Sequence, residues 1–160
     1  MAAGREYTTT PILGVAVTTA IEFFFLSCPS DAVVFVEEIN ITQDTSETSE
    51  QLVLQLWRTA TANEAVGTAN TPNPTEVGMP AFGGTARTML PAASSAKTTN
   101  IRREGQNVLN GWLWKGSYEE PLIVLGPTAG VASRIAIGLI TAPGSSTVFS
   151  GYVKFREIGG

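Results

Sequence analysis

The sequence predicts an all-β fold, an antiparallel β-sandwich of jelly-roll type, on three observations. Apolar and polar residues alternate with period two along several runs, turns containing Gly or Pro separate those runs, and no segment carries a sustained helical repeat. The clearest runs are the last two. Ile135, Ile137, Leu139 and Thr141 alternate with Arg134, Ala136, Gly138 and Ile140, and Phe149, Gly151, Val153 and Phe155 alternate with Ser150, Tyr152, Lys154 and Arg156. Successive strand residues point to opposite faces, so each run offers one face to a core.

Taken in order, residues 1–10 are polar and Thr-rich and read as an N-terminal arm, loose or laid on a neighbour. Residues 11–160 then form one sandwich domain. Ile12 to Val17 and Ala20 to Cys28 read as two strands or one long bent one. From Val33 to Ile41 apolar residues fall on both parities, which predicts a strand covered on both faces. Asp44 to Glu50 is an acidic loop. Leu52, Leu54 and Leu56 share a parity opposite Val53, Gln55 and Trp57, although Glu50 to Ala60 also fits helical spacing. Residues 61–96 are poor in large apolar groups, and Pro72, Pro74, Pro80 and Pro91 interrupt them. This reads as an extended excursion loop that grips something else, with short pairings near Val77–Phe82 and Ala86–Leu90. Strands follow at Ala96–Arg102, Val108–Lys115, Pro121–Leu125, Ala132–Ala142 and Thr147–Ile158, eight to ten in all. Asn110-Gly111 is a turn dipeptide, but it stands inside an apolar run, so a bulge or close backbone approach is expected there.

Composition narrows the function. A chain of 160 residues can hold a core without metal or disulfide. Charged residues make up only 15%, so Thr, Ser, Asn and Gln build the polar surface, as suits strands or a surface covered by neighbours. The net charge of −4 argues against binding nucleic acid, which needs a basic patch. The one adjacent basic pair, Arg102-Arg103, is followed by Glu104 and reads as a solvated strand edge, with contact to an acidic partner as the sharper alternative. The apolar run Pro11–Cys28 carries Glu22, and Arg5 is balanced by Glu6, so it reads as strand rather than leader, and no membrane partner is expected. Cys28 sits among apolar residues and reads as a buried, inert thiol.

The residues for catalysis are sparse. The chain has no histidine, which removes Ser-His-Asp, Cys-His and imidazole-metal arrangements. The acid pairs Glu37/Glu38 and Glu119/Glu120 are neighbours in sequence, and adjacent strand residues diverge. Asp44, Glu47 and Glu50 share a loop but lack EF-hand spacing, and Gly83-Gly84 lacks the lysine of a phosphate loop. Asn40-Ile41-Thr42 matches a glycan acceptor by chance. No enzyme activity, metal or cofactor is expected. Trp57, Trp112 and Trp114, with Tyr118, read as core or subunit-interface anchors, against a sugar-stacking platform as the alternative.

Several short segments carry a resemblance. Glu38-Ile39-Asn40-Ile41-Thr42-Gln43, Asn110-Gly111-Trp112, Glu120-Pro121, Gly126-Pro127, Ala142-Pro143 and Phe155-Arg156-Glu157-Ile158-Gly159-Gly160 resemble small structural proteins of tailed phages, across roughly residues 33–160. Some of those proteins are capsid decoration, or cement, proteins. The resemblance implies a virion protein on the outer surface of an icosahedral head, with the major capsid protein and itself, as a homotrimer, for partners. Under that reading the arm (Arg5, Glu6, Tyr7) and the long loop (Met79, Phe82, Arg87, Met89) would touch the shell, and Trp57 and Trp114 the trimer partners. A carbohydrate- or receptor-binding module of a tail, or a tail or head-completion protein, is the alternative.

Overall fold

The computed structural model describes residues 4–44, 49–91, 94–117, 121–128 and 130–159. Two antiparallel sheets pack face to face. The first contains β1 (Arg5–Thr8), β2 (Ile12–Val17), β4 (Ala32–Gln43), β7 (Asn73–Pro74), β10 (Trp112–Lys115), β11 (Leu122–Leu125) and β13 (Thr147–Gly159). The second contains β3 (Ile21–Ser27), β5 (Gln51–Thr59), β6 (Thr68–Asn70), β8 (Thr85–Pro91), β9 (Thr99–Asn107) and β12 (Arg134–Leu139). We call them sheet A and sheet B.

Their order is that of a jelly roll. In sheet A, β1 and β2 lie end to end along β13, β13 pairs with β4, and β10 and β11 share the far side of β4. In sheet B the order is β3–β12–β5–β9. The chain crosses between sheets at every connection of this eight-position frame except that from β5 to β9, which are neighbours. The excursion of residues 61–96 is inserted there, and adds β6 and β8 beside β3 and β7 beside β1.

Alternation explains the core. Val34, Val36, Ile39 and Ile41 of β4 and Phe149, Val153 and Phe155 of β13 point inward against Leu52, Leu54 and Leu56 of β5 and Ile135, Ile137 and Leu139 of β12, all buried. Each such side chain contributes about 1.5–3 kcal/mol of transfer free energy. The helical alternative for Glu50–Ala60 is replaced by β5, paired with β9 and β12. On β3 a register shift leaves Phe23 as an extra residue, so Phe23 and Phe24 both join the main core. The bulge brings β3 onto Gly138, where a Cβ would lie 2.3 Å from the Ile21 carbonyl oxygen, so only glycine fits.

Five expectations are corrected. Residues 5–8 of the arm form β1, held between β13 and β7, because Tyr7 fills core space beside Phe155. The excursion folds back on its own sandwich. The strand expected at Ala96–Arg102 spans Thr99–Asn107, and no strand forms over Val77–Phe82, whereas β8 covers the expected Ala86–Leu90. At Asn110-Gly111 the chain makes a short 3₁₀ turn, Val108–Asn110, capped by Asn107, whose side chain accepts from Leu109 N at 3.0 Å. Gly111, at φ 66°, ends it, and a Cβ there would lie 3.1 Å from Thr42 Cγ2.

Candidate functional site

Among the described residues, the open surfaces include the outer face of sheet A and the β9 edge of sheet B. Sheet A's outer face is built by β4, β13 and β1. A register shift between Lys154 and Phe155 gives β4 one extra residue, so Glu37 and Glu38 are both half-buried on the outer side before Ile39 returns to the core. This corrects the expectation that the two carboxylates diverge. Each is engaged. Glu37 pairs with Arg156 and lies 3.9 Å from Lys154, while Glu38 accepts from Tyr152 Oη and lies 3.4 Å from Lys115. Lys154 Nζ reaches Glu6 at 3.0 Å. The bond from Tyr152, then Lys115, holds Glu38 below the ordinary carboxylate range, and Lys154 does the same for Glu6, more than offsetting burial. Glu6 in turn raises Lys154. Glu6, Glu37, Lys154 and Arg156 rim an open groove of about 460 Å³ with Phe35, Pro121 and Ile158 along its walls.

Sheet B's outer face is covered by the protein's own excursion. Phe25, Trp57, Leu90 and Ala136 form a second buried cluster with Val66 packed on it, and Lys97 Nζ sits 4.9 Å from the Trp57 ring centre. Buried Glu22 accepts from Ser95 N and Ser95 Oγ, both at 2.7 Å, and Asn63 Nδ2 donates to Ser95 Oγ at 2.8 Å. Burial pushes the Glu22 carboxyl up, and the two Ser95 bonds only partly oppose it. Glu64 accepts from Arg134 Nε at 2.5 Å and Ser27 Oγ at 3.1 Å. Burial raises Glu64 and the hydrogen bonds outweigh it, for a net downward shift.

From this lid the chain crosses to sheet A as a strap. Asn70 exchanges hydrogen bonds with the Thr10 backbone, at 2.9 and 2.8 Å. β7 pairs with Tyr7 and Thr8, and Thr75 bonds Glu6 through both N (2.9 Å) and Oγ1 (3.1 Å). Tyr7 Oη donates to the Pro80 carbonyl at 2.9 Å, and Phe82 packs on Tyr7 and Phe155. The strap closes one side of the sandwich.

The expected contact residues therefore scatter. Tyr7 is a core residue and Phe82 packs against the core, because their rings complete the end of the sandwich. Arg87 donates to the Glu64 carbonyl at 2.5 Å. Met89 takes φ 55°, which turns it inward beside a second open groove of about 600 Å³, lined also by Leu13 and Val15. Arg5 sits 3.5 Å from buried Glu157. Glu6 remains on an open face, and Met79 is half-buried next to the strap's exposed Val77. Trp57 and Trp114 are buried within the chain, which corrects their placement at a subunit contact. Trp112 is buried too and donates to Glu104 at 2.5 Å, while Tyr118 lies outside the described residues.

The remaining acids and the thiol serve structure. Asp44 accepts from Gly14 N at 3.1 Å, and Glu50 accepts from Gly144 N at 2.7 Å. Glu47, Glu119 and Glu120 lie outside the described residues. Among the described residues no three His, Cys, Asp or Glu side chains converge as a metal site. No described helix is long and apolar enough to cross a membrane. Cys28 is buried, donates to the Ala32 carbonyl, and burial, with help from Glu157, pushes its thiol up to about 12.

The open edge was named in the sequence only through Arg102-Arg103. There β9 ends sheet B with no strand beyond it among the described residues, and its own residues are mostly exposed. Ile101 of β9, Leu109 of the 3₁₀ turn and Leu113 of β10 stand 38%, 55% and 54% exposed. Comparison with protein-family models, curated proteins and solved structures returned no match to the chain.

Proposed function

We propose that this chain is a non-enzymatic structural protein of a virion, a capsid decoration or cement protein that binds and stabilises the outside of an icosahedral phage head. The observation that carries the reading is the jelly-roll order with its excursion folded onto the body. Jelly rolls recur in viral capsid and lectin domains. A lidded sheet, a strapped edge and an interlocked ion-pair face make a stiff unit with a wide, sparsely charged surface. Such a unit loses little conformational entropy on docking. Its assembly as a homotrimer would multiply weak shell contacts.

Docking is assigned to the outer face of sheet A around Glu6 and to the strap tip around Val77 and Met79. The lectin-like alternative is weakened, because Trp57, Trp112 and Trp114 are all buried and offer no stacking platform. The test is to add the purified chain to phage heads stripped of surface proteins and measure occupancy by cryo-electron microscopy, with sedimentation giving the oligomer. Saturable coating is expected, weakened by Glu6→Lys. Heads that stay bare at saturating protein would refute the proposal. Deleting residues 1–10 is not a clean test, since it removes β1 from the sheet.

A further inference from the structure

We infer that β9 is a self-pairing edge: two copies of this chain join their sheets antiparallel about a two-fold axis through Arg103. Four features of the strand point to a second copy. β9 is nine residues long, with Arg103 at its centre, and among the described residues its outer side faces no strand. A two-fold normal to the sheet sets residue 103 opposite itself, and so sets Arg102 opposite Glu104 of the second copy, twice. Those opposite-charge cross-strand pairs extend the Arg102–Glu104 ion pair, 2.5 Å, that each chain already makes.

The same register sets Ile101 opposite Gly105 of the second copy. Ile101 is the extra residue of a β-bulge, since Leu56 opposes Arg102 and Trp57 opposes Asn100. A bulge re-aims its side chain, and Ile101 is exposed. Gly105 is the matching space: a Cβ built there meets nothing within 4 Å. Burying an exposed isoleucine over a glycine twice per contact supplies the apolar part of the interface. The two Arg103 side chains meet on the axis with like charge. Both are exposed, so water and salt screen that repulsion.

The contact belongs to the chain alone and does not depend on shell binding. On an icosahedral lattice it would connect neighbouring three-fold clusters. Arg103→Cys in the full chain tests it, because the thiol then lies on the axis while Cys28 stays buried. Mild oxidation is expected to give a covalent pair on a non-reducing gel, whereas Leu109→Cys, exposed but off the axis, stays mostly single. Adding Gly105→Leu to the Arg103→Cys chain leaves the circular dichroism unchanged and lowers the covalent yield roughly tenfold, because leucine occupies the place of Ile101. Adding Arg102→Glu instead also lowers it, by facing two glutamates. Equal yields from the two cysteine variants, or an undiminished yield with a folded Gly105→Leu chain, overturn the proposal.

Discussion

The outer faces of the two sheets start from the same pleated geometry and end in opposite states. Sheet B's outer face is dry: Phe25, Trp57 and Leu90 lie under residues 60–67 and 94–98, and the acid there, Glu22, is buried among serine and asparagine donors. Sheet A's outer face is wet: Glu6, Glu37, Lys154 and Arg156 neutralise one another around an open groove, and Glu38 pairs with Lys115 beside it. The difference teaches where the chain spends its own excursion. An apolar face needs a cover, and the nearest insertion supplies it. A face of paired charges is stable in water and stays free for a partner.

The contrast can be broken most forcefully at Trp57. Trp57→Ala is expected to destabilise the fold by about 3–5 kcal/mol in urea unfolding, while Phe35→Ala on sheet A's face costs about 1 kcal/mol or less. Equal costs would mean that the lid contributes no packing.

Glu22 under the lid and the acids of sheet A's face also differ in the sign of their pH dependence. Glu6 and Glu38, held low by their partners, stabilise the fold above about pH 4, where unfolded carboxylates ionise, and that contribution is lost as pH falls through their folded pKa. Glu22, raised by burial, behaves oppositely. Its contribution is present below about pH 4 and is lost as pH rises through its folded pKa. Glu38→Gln is therefore expected to flatten the acid side of the stability curve and Glu22→Gln the side above it. Urea midpoints from about pH 3 to about pH 7 check both signs.

Smaller effects sharpen the picture. Tyr7→Phe removes the bond to Pro80 that ties the strap down and should cost about 1 kcal/mol in urea unfolding, with faster proteolysis near residues 75–80. Lys154→Met breaks ion pairs that are half in water and should cost about 0.5 kcal/mol or less, in the same urea measurement at low salt.

Much of the fold was legible because strand residues report their own alternation. The runs in β12 and β13 needed no partner to be read, whereas β4, expected to be covered on both faces, buries one face and leaves the other half-buried on the open side of sheet A. The candidate site was less legible. Glu37 and Glu38 look divergent until β13 is paired with β4 across a bulge, and a bulge is a property of two strands, not one. Residues 61–96 carry few large apolar groups, so their destination was hidden: they dock through hydrogen bonds to Glu22, Tyr7 and Thr10, scattered far away in sequence. Their pairings lie 60 to 73 residues apart, beyond any local pattern.

By itself the sequence determined the class of fold, the inward parity of β12 and β13 and the lack of imidazole chemistry, because these depend on residue identity and period-two spacing. Tertiary structure alone decided that the arm is a strand, that the excursion is a lid and strap, that the tryptophans, expected in the core or at a subunit interface, are buried within the chain, and that β9 is left at an edge. Those outcomes follow from which backbone donors and apolar faces find one another across the chain, and local alternation carries no record of the partner.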